Sequence, residues 1–347
     1  MKVLTRAFVA ALAVVSVISL VPSALADEVI RIPVVLRPGV TADVAVHVVV
    51  NPNARPSGLD VLIVHGLAQT GATFRPLANA LFSEPLGNKV ARVLIAELPG
   101  HGASDPPVGM MFGDLALEDY ATAILGVLDA LPGRGLAADV LVGHSMGAVI
   151  IQMAQERLVS QGTNLRERFD VRGTVLIAPV IPTPLPWAFA DSGAAAAILG
   201  QFIRFDPTLG LIVDIPPPIW VAVFYSDRAG MIAAGAPSPA QAAAEFVSFE
   251  AFVAGAQTIR LFAPAHVRAG LFGPDSGTVA GVIRLEQDAF FQFPSEHQAL
   301  YEYLTGDDRL KLFFSVEGPT TVHNMHTFNP EPLLHPIKKV LNSIDRQ

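Results

Sequence analysis

Cysteine is absent from this chain of 347 residues. That excludes a disulfide framework, a thiol nucleophile and thiolate metal sites, and it leaves stability to a hydrophobic core, which a chain of this length can build. Charge is also scarce. Asp, Glu, Lys and Arg make up 16% of the residues, and the 31 acids outnumber the 23 Lys and Arg. No Lys/Arg-rich run interrupts this pattern, so the chain carries no electrostatic footprint for nucleic acid and no polybasic attraction to anionic lipid. There is no N-x-S/T sequon, no Walker loop and no HExxH. "GRGLAA" at Gly133 has the spacing of a dinucleotide loop but follows a helical pattern instead of a strand, and Asp105 and Asp114 have no partner that suggests a glycosidase pair. No metal and no cofactor is expected.

What is present is apolar: 51% of the residues are hydrophobic, which excludes a disordered or fibrous class. The apolar stretch Ala7 to Leu20 follows Lys2 and Arg6 and leads to Pro22 and "ALAD", where Ala24 and Ala26 satisfy a small-residue cleavage rule. Residues 1–26 read as a secretory signal cleaved after Ala26, because the stretch falls short of the roughly 20 residues a membrane span needs. The alternative is an uncleaved N-terminal anchor. Cleavage takes the formal net charge from −8 to −10. The expected mature protein is exported, secreted or periplasmic, without stable membrane insertion.

Downstream, "VIRIPVVLRPGVTADVAVHVVV" reads as a hairpin around Pro38-Gly39. "DVLIVHG", "ARVLIAELPG", "DVLVGHS" and "RGTVLIAPV" are short continuous apolar runs, as expected of strands buried on both faces of a parallel sheet. An apolar stripe from Leu117 through Tyr120, Ala121, Ile124, Leu125, Leu128 and Leu131 predicts an amphipathic helix, with Asp114 as its N-cap. Strands alternating with helices predict an α/β fold, a mostly parallel central sheet with helices on both faces. The alternation lapses after Val180 and returns with the strand "GTVAGVIRLEQD", a helix near Ser295 to Leu304, the strand "RLKLFFSVEG" and a last helix around Pro332 to Asn342. The chain thus divides into a core segment 27–180, an inserted cap 181–272 and a second core segment 273–347. The insertion is too apolar for a solvated linker.

One short motif carries chemistry. In "GHSMG", Ser145 lies between a strand pattern and a helical one, with Gly143 and Gly147 leaving room for a sharp turn that lifts the hydroxyl clear of the backbone. The competing reading is a serine that merely caps the helix. A serine nucleophile needs a base, and a carboxylate to fix the tautomer of that base.

Through "HGLAQTGATFRPLANAL", "ELPGHGASDPP", "VGHSMG", "IRLEQD" and "TVHNMH", in that order, the chain resembles the α/β-hydrolase superfamily from about residue 30 to its C-terminus. The resemblance implies an α/β-hydrolase fold with an inserted cap domain and a catalytic triad in the order Ser, acid, His. It matches Ser145 to the nucleophile and Asp288 to the acid; Glu286, Asp275, Asp307 and Asp308 are the rivals. The base is His323 or His326, of which "H-N-M" at His323 fits the family pattern better, although Val322 stands where a Gly is common. The oxyanion hole would use the N–H groups of Met146 and Leu67. His65 would shape the oxyanion loop, His101 would belong to a turn and His144 would be the variable position of the elbow. His47, His266, His297 and His335 are solitary, and no role is assigned to them.

The insertion holds Trp187 and Trp220 and many phenylalanines, while Arg204, Arg228 and Arg260 occur singly. A small, neutral, apolar ester is therefore the expected substrate, and the expected protein is a secreted serine esterase. A C–C hydrolase, lactonase, amidase or cofactor-free haloperoxidase could use the same triad, and a non-catalytic binding protein could keep the fold. Related dehalogenases and epoxide hydrolases carry Asp at the elbow, so Ser145 argues against those two. Which residues contact substrate is open at this level.

Overall fold

The computed structural model describes residues 27–66, 69–83, 86–110, 115–179, 203–206, 210–213, 277–286, 311–318 and 329–344, with 288, 321, 323 and 325–327. The expected signal segment, nearly all of the expected cap and the helix expected near Ser295 to Leu304 lie outside them.

Strands β1 (Asp27–Arg37) and β2 (Val40–Val50) form the expected antiparallel hairpin, and Gly39 takes φ 77° in its turn. Then come β3 (Leu59–Val64), β4 (Val90–Ala96), β5 (Val140–His144), β6 (Gly173–Ile177), a separate two-stranded ribbon of β7 (Ile203–Asp206) and β8 (Gly210–Val213), β9 (Val279–Leu285) and β10 (Lys311–Val316). Among the described residues the main sheet runs β1-β2-β4-β3-β5-β6-β9-β10. From β4 to β10 every pairing in it is parallel. This is the expected mostly parallel α/β sheet.

Alternation along the buried strands sorts their side chains into two cores. Leu62 and Val64 of β3, with Leu141 and Val282, face α2 (Leu117–Ala130) and α3 (Met146–Ser160). Val61 and Ile63, with Val142 and Ile283, face α1 (Arg75–Leu81) and α5 (Glu331–Ile344). Because both faces are covered, every residue of β3 is buried, and its sequence is continuously apolar apart from Asp60. The short α4 (Leu165–Phe169) precedes β6.

Helix α2 buries the expected stripe, including Leu117, Tyr120, Ala121, Ile124, Leu125 and Leu128. Its N-cap differs from expectation: the cap position is Ala116, and Asp114 lies outside the described residues. Asp119 supplies the missing acceptor, because its carboxylate takes the Ala116 N–H at 2.8 Å and the Arg37 Nε–H at 2.6 Å. A local propensity rule favours a polar cap residue, whereas here a carboxylate one turn into the helix does the work.

With β3, β5, β6, β9 and β10 parallel, their carboxyl ends share one edge of the sheet. That edge is where the chemistry-bearing side chains gather.

Candidate active site

Only Ser145 separates β5 from α3, and it takes φ 52° and ψ −116°. A non-glycine residue held there stores about 1–3 kcal/mol of strain, which the surroundings must oppose. The Ser145 N–H donates to the Ile177 carbonyl at 2.9 Å, and the Ser145 carbonyl accepts the Ala148 N–H at 3.1 Å. The flanking glycines permit the contact of α3 with the sheet. A Cβ on Gly147 would stand 2.1 Å from the Val64 carbonyl oxygen, and one on Gly143 2.7 Å from the Ala148 nitrogen. Both obstacles are backbone. Gly147→Ala is therefore expected to destabilise the fold by about 1–3 kcal/mol or more, read as a lower urea midpoint at unchanged slope. An unchanged midpoint would show that α3 does not seat so closely on β3.

Asp288 follows β9 and His323 follows β10, so adjacent parallel strands deliver them to the same edge. The His323 Nδ1–H donates to Asp288 Oδ2 at 2.8 Å, with both side chains buried. This pairing puts the ring proton of a neutral His323 on Nδ1, which makes Nε2 its basic nitrogen. Of the rival acids, Glu286 is exposed and accepts the Gly318 N–H at 2.9 Å, while Asp275, Asp307 and Asp308 lie outside the described residues.

His326 lies beside the same site but in a different setting. It lies on a 3-10 turn (Met325–Thr327), fully buried, with its ring stacked on Phe74 at 4.2 Å between centroids. Its Nε2 is 3.3 Å from the Gln69 amide nitrogen, and burial, reinforced by the nearby His323, holds its pKa well below the ordinary imidazole value. Asp288 is thus hydrogen bonded to His323 and not to His326.

Met146 opens α3, so its N–H is among the helix amides that lack an intrahelical acceptor. The other expected oxyanion donor, Leu67, lies outside the described residues. Its neighbour Gly66 is fastened by its N–H to Gln69 Oε1 at 2.7 Å. His65 has the expected structural part: its Nε2 accepts the Leu98 N–H at 3.0 Å and its Nδ1–H donates to the Gly66 carbonyl at 2.8 Å. Burial lowers its pKa, which keeps it neutral. Among the described residues no three or more His, Asp or Glu side chains are grouped to hold a metal ion.

The sequence model of the alpha/beta hydrolase family matches residues 61–330, most of the chain. The chain belongs to the alpha/beta hydrolase family. No curated protein sequence matches it. Similar solved structures include a peroxisomal alpha-beta-hydrolase from Saccharomyces cerevisiae, with a TM-score of 0.60 at 12% identity, covering 94% of this chain and 91% of that one. A putative lipase from Acinetobacter baumannii gives 0.56 at 12% identity over 93% and 92%. A haloalkane dehalogenase from Bradyrhizobium elkani gives 0.56 at 15% identity over 92% and 99%. At such identities these likenesses establish the shared fold.

Three residues of this hydrolase gain a place that sequence patterns did not assign. Buried Glu97, at the end of β4, accepts the Gly71 N–H at 2.7 Å and the Ala103 N–H, and His47 Nε2 lies 3.3 Å from its Oε2. It joins the loop after β3 to the loop after β4. Burial opposes its charge, but His47 and the two amides outweigh that and lower its pKa. His144 and Gln69 form the other unforeseen group. The His144 Nε2–H donates to the His323 carbonyl at 2.8 Å, and its Nδ1 lies 3.0 Å from Gln69 Oε1. An invariant G-x-S-x-G pattern hides this, because its second position is free by definition.

Proposed function

We propose that this hydrolase is a serine esterase, cleaving carboxylic esters of small apolar substrates through an acyl-enzyme. The observation that carries the reading is the buried Asp288–His323 hydrogen bond, on the same sheet edge as the strained Ser145 turn. Ser145 Oγ attacks the ester carbonyl while His323 Nε2 takes its proton. Asp288 holds the Nδ1–H and stabilises the imidazolium. The oxyanion is met by the N–H groups of Met146 and Leu67, at the positive end of α3. His323 then protonates the leaving alcohol. Water, activated by the same imidazole, attacks the acyl-serine and returns the enzyme.

The apolar insertion, residues 181–272, supports a cap that covers this edge and selects neutral acyl groups. The leader supports export, with cleavage after Ala26.

A fluorophosphonate probe is expected to label the wild type and not Ser145→Ala, read by mass spectrometry of the intact chain. Equal labelling of both would overturn the reading. A p-nitrophenyl ester panel of graded acyl length, run beside lactone, amide and diketone substrates, tests the bond. Labelling without ester turnover would move the assignment to one of those other bonds while keeping the nucleophile.

A further inference from the structure

The His144 imidazole is fully buried at the centre of the site, yet the mechanism above gives it no step. Its surroundings join three loops. Nε2–H holds the backbone carbonyl of His323 at 2.8 Å, and Nδ1 lies 3.0 Å from Gln69 Oε1. Gln69 Oε1 in turn takes the Gly66 N–H at 2.7 Å, and the Gln69 amide nitrogen lies 3.3 Å from His326 Nε2. The imidazoles of His323 and His326 face the His144 ring at 4.6 and 4.2 Å between centroids, and the edge of Phe74 stands at 6.0 Å. The His144 side chain thereby connects the nucleophile elbow to the base loop, and the Gln69 side chain, packed beside it, holds Gly66 of the loop after β3.

We propose that His144 is a positioning residue: through the His323 carbonyl it fixes the base loop relative to Ser145. The inference rests on the serine-esterase reading. Its physical basis is leverage. His144 immediately precedes Ser145 at the end of β5, where Gly143 and Gly147 let the backbones of β3, β5 and α3 pack directly on one another. A hydrogen bond from that point to the main chain of His323 sets where the imidazole begins, while Asp288 sets how the ring is turned. Orientation errors of about 1 Å at a reacting group can cost about 100-fold in rate. A neutral imidazole has one proton to give. Burial, with the imidazoles of His326 and His323 close by, keeps His144 neutral, so the shorter contact, to the carbonyl, takes that proton.

The test is kcat per active serine on a p-nitrophenyl ester that the wild type hydrolyses, with active sites counted by fluorophosphonate titration. Counting serines removes any loss that is only a loss of folded protein. His144→Ala and His144→Phe are expected to lower kcat roughly 10- to 100-fold with KM within about threefold. His144→Gln, whose Nε2 amide can reach the same carbonyl, is expected to recover kcat to within about fivefold of wild type. His144→Phe, which keeps a buried ring without a donor, serves as the second arm if His144→Ala does not fold. The proposal is overturned if His144→Ala or, in the second arm, His144→Phe keeps kcat within about twofold, or if His144→Gln falls as far as they do. Failure of the underlying reading looks different. Ser145→Ala would then turn over ester as fast as wild type, whatever position 144 does.

Discussion

Replacing His323 with alanine is expected to lower kcat/KM for ester hydrolysis by about 10⁴- to 10⁶-fold, because serine without its base attacks as a neutral hydroxyl. Asp288→Asn is expected to cost about 10⁴-fold with little change in the structure. An amide opposite Nδ1 can present N–H where the carboxylate presented oxygen. The imidazole then keeps its proton on Nε2, the nitrogen that must accept one from Ser145. His326→Gln is expected to cost no more than about tenfold, since His326 packs on Phe74 and Gln69 and is not paired with Asp288. Steady-state kinetics on one ester at neutral pH checks all three. Wild-type turnover by His323→Ala, with loss in His326→Gln, would exchange the two histidines and require an Asp288 geometry unlike the one described.

The second large effect concerns the fold itself: stability is expected to fall steeply as pH drops below about 6.5. His65, His101, His144 and His326 are buried and all have lowered pKa values, with His101 pushed down to about 3. Burial is the largest cause for each, since an imidazolium there would lose its hydration. His65 adds to the depression of His101, while His326 and His323 add to that of His144. The direction follows from proton counting. Below the ordinary imidazole value of 6.5 the unfolded chain takes up protons at these four positions before the native chain does. Stability therefore rises with pH across this window and falls on acidification. A histidine contributes up to about 1.4 kcal/mol per pH unit where the unfolded chain holds its proton and the native chain does not, and His101, down to about 3, does so over the widest range. Glu97, with its lowered carboxyl, extends the loss once pH falls below its ordinary value of 4.5. Urea midpoints by circular dichroism at pH 7, 6 and 5 measure the slope. A midpoint unchanged from pH 7 to pH 5 would mean that these imidazoles are charged or solvated in the native state.

The fold was legible in the chain because burial on two faces leaves a mark that short-range patterns can carry. "DVLIVHG", "DVLVGHS" and "GTVLIA" are apolar at nearly every position, as β3, β5 and β6 require. The elbow was legible for a related reason. Its glycines answer to backbone atoms only 2.1 and 2.7 Å from where a Cβ would stand, so no other residue type fits without movement. The N-cap of α2 does not follow the local pattern, because Asp119 reaches the cap from inside the helix instead of preceding it.

By itself, then, the sequence determined the strands, their alternation with helices and the Ser145 turn. Only the tertiary structure decided that Asp288 meets His323 while His326 stacks on Phe74, and that His144 reaches the His323 carbonyl. His323 and His326 are three residues apart in the same loop, chemically identical, and separated by which way the chain turns within a few ångströms. Periodicity records which face of an element is buried. It does not record which atom of a distant loop a buried imidazole touches, because that depends on the packing of strands brought together from opposite ends of the chain.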